Sequence, residues 1–205
     1  MNNTLNIEAL KSEFKNLLLS TNRKNISNFI NWLETCTDFF DAPSSANYHG
    51  NHKHGLLIHS MNVYNVAKKI LSGLSEINSS FANITNDSVI IAALLHDMCK
   101  VNFYNPCEKW RKNEMNQWES YQGYNISDSF PFGHGEKSVL LLQMAGLEMT
   151  PQEMLAIRWH MGAWDGGLLT NDTKISYNNA MEKNPLCIII QCADNISSMT
   201  LETKI

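Results

Sequence analysis

Six residues of types that bind cations recur in one kind of setting: His59, His96, Asp97, His134, His160 and Asp194. Val89-Ile90-Ile91-Ala92-Ala93-Leu94-Leu95 runs apolar straight into His96 and Asp97, with Lys100 following. Leu186-Cys187-Ile188-Ile189-Ile190-Gln191-Cys192-Ala193 delivers Asp194 in the same way. His59 shares the helical stripe of Leu56, Val63, Val66 and Ile70. A carboxylate carried into an apolar core needs a partner, a raised pKa or a metal. A lone histidine on an apolar face is more often a hydrogen-bonded core residue than a ligand. Six such groups on five predicted helices would each need a partner, whereas a shared cation satisfies them together.

The count of ligands points to two cations. One ion takes four to six ligands, and a catalytic ion must leave some positions for water or substrate. Divided over two ions with Asp97 as the bridge, the six leave room on both. Two divalent ions, two carboxylates and neutral imidazoles carry a net positive charge that would attract a phosphate and bind a bridging hydroxide at neutral pH. Mixed imidazole and carboxylate ligation suits Fe or Mn first, with Co, Ni or Zn as further candidates, over Mg or Ca. Lys100, one turn beyond His96, would direct its ammonium at whatever the ions hold; its plainer role is a cation closing a helix C-terminus.

Helices must position these groups. Helical spacing over residues 5–19 and 25–40 gives two scaffold helices without histidine. Residues 42–55 are rich in turn formers and hold His49, His52 and His54, three of the seven histidines. These could line a substrate entrance or lie idle in a solvated loop. A helix over 56–74 carries His59, and the next is expected to end near Lys100. Residues 101–132 are irregular, with a small β-hairpin predicted at about 108–122. Its Lys109, Arg111 and Lys112, near Trp110 and Trp118, make either a solvated face or a contact for an anionic ligand. A further helix runs from 133 to 145. Thr150-Pro151-Gln152-Glu153 has the form of a capping box with proline at the first helical position, opening the helix that ends near His160. Residues 162–173 are predicted to be a Gly-rich loop, after which Asn184-Pro185 opens the last helix. The fold class is all-α, in one domain over 1–205 with residues 1–41 as N-terminal scaffold.

At 205 residues the chain can bury a sizeable core. A formal charge of −4 argues against gripping a long nucleic acid by its phosphates, and leaves room for a small anionic ligand at a local positive centre. The five cysteines show no CxxC spacing and read as reduced thiols. With no secretion-signal pattern and no apolar run of about 18 residues, the expectation is a cytoplasmic protein without a membrane partner.

The ordered set His59, His96-Asp97, His134, His160 and Asp194 resembles the HD-domain superfamily of metal-dependent phosphohydrolases. The resemblance extends to Gly55-Leu56-Leu57-Ile58-His59-Ser60, Leu94-Leu95-His96-Asp97-Met98-Cys99-Lys100 and Cys192-Ala193-Asp194-Asn195. It covers about residues 48–199, the expected metal-binding core. It implies a helical bundle with the site at its centre, residues matching His59, His96, Asp97 and Asp194 on one metal, and His134 and His160 with the shared Asp97 on a second. The binuclear set is similar to cyclic-dinucleotide phosphodiesterases, and the Gly-Leu-Leu and Ala-Asp-Asn context to 3′→5′ exoribonuclease-type domains. Met98-Cys99 departs from the usual aliphatic residue and glycine. Met161 replaces the second histidine of a His-His pair, which speaks against a trinuclear site.

The implied function is hydrolysis of a phosphoester in a nucleotide, cyclic dinucleotide or short oligonucleotide by a metal-activated hydroxide. Asp97 and Lys100 form the catalytic centre; Lys100, His54 and Trp164, the last beside Asp165, are substrate-side candidates. A mixed-valent di-iron oxygenase shares this ligand order, and a nucleotide-binding module without turnover is the non-enzymatic alternative.

Overall fold

The computed structural model describes residues 6–164 and 170–202. Among them are eight α-helices and one antiparallel hairpin: α1 (Ile7–Ser20), α2 (Ile26–Thr35), α3 (Gly55–Ile77), α4 (Asn86–Leu95), β1 (Tyr104–Lys112), β2 (Trp118–Ile126), α5 (His134–Met144), α6 (Pro151–Trp159), α7 (Asn171–Lys183) and α8 (Pro185–Ile196). The all-α architecture and the small hairpin agree with the sequence pattern. No helix among the described residues is long and apolar enough to cross a membrane. All five cysteines are free thiols.

The bundle is built around α4. Every residue from Val89 to Leu95 is buried, so this helix has no polar face and must be surrounded. It packs on α1, α3, α6 and α8. Burying each large apolar side chain contributes about 1.5–3 kcal/mol, so this one helix anchors much of the core. The Thr85 side chain accepts from Ser88 N to start it. Phe14, Phe39 and Phe40 pack together with ring centroids 5.0–5.5 Å apart, closing the core on the N-terminal side.

Several boundaries differ from the sequence expectation. The second helix stops at Thr35, and Phe39 and Phe40 are buried from a turn. Helix α4 stops at Leu95, short of Lys100, and a single 3₁₀ turn covers Met98–Lys100. The hairpin is longer than 108–122, with Tyr104 paired to Ile126 at one end and Lys112 to Trp118 at the other. Its basic residues find local partners: Arg111 bonds Glu119 across the strands at 2.7 Å, Lys112 lies over the Trp118 ring, and Lys109 bonds Asn47. The predicted loop over 162–173 gives way to α7 from Asn171, capped by Thr170; residues 165–169 lie outside the described residues.

Helices α4 and α6 are joined at their N-termini by Glu153. The capping box is present, with Thr150 N bonded to Glu153 Oε2 at 2.8 Å and Glu153 N to Thr150 Oγ1 at 3.2 Å. The same buried carboxylate accepts from Ser88 Oγ on α4 at 2.7 Å and from Arg23, in the α1–α2 turn, at 2.6 Å.

Candidate metal centre

Five helices deliver the six residues singled out by sequence, and the structure brings all six together. His59 projects from α3 and Asp194 from α8. His96 and His160 are the C-cap residues of α4 and α6. His134 is the first residue of α5. Asp97 lies just past α4 with φ −101° and ψ 25°, the bridge region that active-site residues often occupy. Its helix therefore ends before the carboxylate, and the turn frees Asp97 to point among the histidines. Gly135 lets α5 come close to α6: a Cβ there would sit 2.1 Å from the Arg158 carbonyl oxygen. That contact brings the His134 and His160 rings to 5.1 Å.

Asp97 is the centre of the set. Its Oδ1 lies 2.8 Å from His134 Nε2 and 3.5 Å from His160 Nε2. Its Oδ2 lies 3.4 Å from His59 Nε2, 3.3 Å from His96 Nε2 and 2.5 Å from Lys100 Nζ. The two oxygens thus face two different histidine pairs. On the Oδ2 side, His59 Nε2 is also 3.1 Å from His96 Nε2 and 3.2 Å from Asp194 Oδ1.

The tautomers explain why these groups suit a cation. His96 Nδ1 lies 2.9 Å from the Ala93 carbonyl oxygen, His160 Nδ1 2.6 Å from that of Ile157, and His59 Nδ1 3.0 Å from both Glu202 carboxylate oxygens. Each acceptor requires the proton on Nδ1, so the neutral ring turns an Nε2 lone pair inward. A histidine held this way on its outer nitrogen is the usual state of a metal ligand. Here three lone pairs meet one another and two carboxylates, acceptor against acceptor. Among the described residues, the buried His160 Nε2 has no hydrogen-bond partner. Two nitrogens at about 2.1 Å from one ion and at right angles would be about 3 Å apart, close to the His59–His96 separation. The donor set and its spacing fit divalent metal ions.

Protons compete with a cation for the same lone pairs. Burial opposes charge on His59, but the bonds to Asp194, Asp97 and Glu202 outweigh it and hold its pKa well above the ordinary value. Burial likewise opposes charge on His134, yet Cys99 and Asp97 lift it to about 10. Burial lowers His160, helped by its neighbours His96 and His134. Asp97 would be raised by burial, but Lys100 and His96 hold it well below the usual carboxylate range. Lys100, buried too, is kept protonated by Asp97, with its pKa raised.

Three contributors to the site were not assigned from sequence. Glu202 holds His59 Nδ1 and also accepts from Asn62 Nδ2 at 3.0 Å. A π-helical turn over Ser197–Leu201 extends α8 and carries Glu202 to this position. Cys99 Sγ lies 3.5 Å from His134 Nδ1, the nitrogen facing away from Asp97. His49, one of the three loop histidines left open, packs its ring 4.9 Å from that of His59. Its Nε2 is buried without a partner among the described residues, and burial and the neighbouring His59 lower its pKa to about 4. Donor atoms of three overlapping sets, His59, His96 and Asp194, then His96, Asp97 and His160, then Asp97, Cys99 and His134, lie within 4.8 Å of one another inside each set.

The structure also gives the surroundings of the other substrate-side candidates. His54 precedes α3, and its Nδ1 lies 2.6 Å from the Phe40 carbonyl oxygen and 3.2 Å from Asp41 Oδ1, joining α3 to the N-terminal scaffold. Trp164 is exposed in a short 3₁₀ turn after His160, and Asp165 lies outside the described residues. If Glu202 fixes the His59 ring for metal binding, Glu202→Gln should weaken metal retention about 10–100-fold, the range for such outer partners. Titration of the purified variant with a competing chelator measures it; unchanged retention would remove Glu202 from the site.

A family model described as the HD domain matches residues 56–199. No curated protein and no solved structure matches the chain. Its span includes every one of the six residues gathered around Asp97, and α3 to α8 are the helices that carry them. The chain therefore belongs to the HD-domain family, a superfamily made up mostly of metal-dependent phosphohydrolases.

Proposed function

We propose that the protein is a metal-dependent phosphohydrolase that cleaves a phosphoester in a nucleotide, a cyclic dinucleotide or a short oligonucleotide. The observation that supports this most is the two-sided environment of Asp97, one oxygen towards His134 and His160 and the other towards His59, His96 and Lys100. His59, His96, Asp97 and Asp194 would hold one divalent ion, and Asp97, His134 and His160 a second, with Fe or Mn favoured by the ligand types. Bound there, such ions supply Lewis acidity towards a phosphoryl oxygen and lower the pKa of water at the site.

The chain's own residues account for the rest. Lys100 has three ammonium donors, of which Asp97 takes one. The others, which no described residue takes, can meet a phosphoryl oxygen and stabilise the charge that grows on it as the ester bond breaks. His49 adds a neutral imidazole whose buried Nε2 can orient a substrate or leaving-group oxygen. Leu95, Met98 and Ala93 are buried around the cluster and keep its surroundings apolar, where these charges act more strongly.

The test is to purify the chain anaerobically, load it with Mn or Fe, and offer mononucleotides, cyclic dinucleotides and short oligonucleotides. Release of phosphate or a nucleoside product, abolished by a chelator, is the expected result. A fully loaded protein that releases nothing from the whole panel would overturn the proposal. Oxygen consumption with a polyol in its place would assign the site to the oxygenase class.

A further inference from the structure

Against the metal cluster lies a cavity of about 270 Å³. Lys100 and His134, which belong to the cluster, line it together with Asp128 and Lys137. Phe103 and Tyr104, at the entry to β1, form an aromatic wall with ring centroids 4.9 Å apart and planes at 85°. The hairpin is tied here, since Ser127 N bonds the Phe103 carbonyl oxygen at 2.8 Å as the chain leaves β2.

Lys137 is the feature that the bundle itself does not require. It sits on α5 with its side chain buried, its ammonium 2.5 Å from Asp128 Oδ1 and 4.8 Å from the centre of the Phe103 ring. Burying a lysine in a single ion pair costs more than an apolar side chain of that size would. The arrangement leaves two ammonium groups, Lys100 and Lys137, lining one small cavity. Each is held by one carboxylate and each has donors to spare. A partly exposed aspartate beside the second supplies an acceptor. Two cations and an aromatic wall in one cavity match a ligand that has a phosphate at one end and a flat, polar-edged body at the other. The volume falls just below the usual range for drug-sized ligands, about 300–1,000 Å³, which leaves room for one nucleoside-sized group.

We propose that this cavity is the substrate pocket and takes a small phosphomonoester whose carrier is no larger than a single nucleoside. The phosphoryl group lies beside Lys100 and His134, the carrier lies against Phe103 and Tyr104, and the Lys137–Asp128 pair reads the carrier's polar edge. The position of the phosphoryl group rests on the phosphohydrolase reading. Hydrolysis there joins the oxygen of water to phosphorus and breaks the phosphorus–oxygen bond to the carrier. The carrier leaves as an alcohol, taking one proton, and inorganic phosphate remains.

The experiment uses the Mn-loaded full chain, with metal content measured in every sample. Binding of adenosine 5′-phosphorothioate is followed by calorimetry, and turnover of adenosine 5′-monophosphate by phosphate release, in wild type, Lys137→Met and Asp128→Asn. Both variants should retain their metal and bind the phosphorothioate about tenfold more weakly, the loss expected for a hydrogen bond to a charged group. Asp128→Asn, at a partly exposed position, carries the test if Lys137→Met does not fold. Wild-type affinity in the folded variants, or no binding to wild type, overturns the pocket. Variant-sensitive binding without any product keeps the pocket and removes the hydrolase reading; product formation with an unchanged KM in both variants does the reverse.

Discussion

Asp97→Ala should strip the metal from the chain and reduce turnover to the background rate. Among the described residues, Asp97 is the one carboxylate whose two oxygens face both histidine pairs, so its loss affects either ion. Removing an outer partner of a ligand costs about 10–100-fold in metal affinity, and a shared inner ligand should cost more than 100-fold. The apoprotein should suffer as well. Lys100 bonds Asp97 at 2.5 Å in a buried setting, and breaking a buried pair by deleting one partner costs about 3–5 kcal/mol. Asp97→Asn separates the two effects, since it keeps the volume and removes the charge. Its amide nitrogen would donate where a cation must bind, so the metal should still be lost. Metal per chain after anaerobic purification, read beside the turnover rate, measures both. A metal-loaded and active Asp97→Asn protein would sink the ligand assignment.

How much of this was legible depended on burial. The run from Val89 to Leu95 marks α4 because an apolar helix must lie at the centre of a bundle. The same texture hid its end: Met98 and Cys99 are also buried, so the apolar pattern continues past the point where the backbone leaves the helix. Helix α7 buries only Ala180, and without an apolar stripe its start falls inside the loop expected over 162–173. Glu202 follows no apolar run, and only the π-helical turn after α8 brings it to His59. The three loop histidines look alike in sequence. Backbone bonds separate them: the hydroxyls of Ser44 and Ser45 both donate to the His49 carbonyl oxygen, and Gly50 at φ +56° turns the chain beside it. Glu202 also alters the charge reckoned from sequence. It subtracts one unit from the positive centre, and Lys100 restores it, so the attraction for a phosphate survives with its positive charge displaced towards Lys100.

Glu153→Ala should destabilise the fold by about 3 kcal/mol, although Glu153 is not among the metal-site residues. Its carboxylate is fully buried and accepts from three donors: Arg23 at 2.6 Å, Ser88 Oγ at 2.7 Å and Thr150 N at 2.8 Å. Those donors belong to the α1–α2 turn and the N-termini of α4 and α6. Losing the capping box alone costs about 1 kcal/mol. Removing one member of a buried charged pair costs about 3–5 kcal/mol, and the lower end applies because Arg23 is 18% exposed and can partly turn to water. Glu153→Gln, which retains an acceptor for Thr150 N but gives up the charge, should lose about half as much. Urea unfolding of the chelated proteins measures these differences apart from metal binding. A loss below about 1 kcal/mol for Glu153→Ala would mean that the carboxylate does not hold the three segments together. The link to function runs along the helices, because α4 and α6 end at His96 and His160. Their N-termini meet at Glu153, so the two helices that end in inward-facing lone pairs are tied together at their other ends.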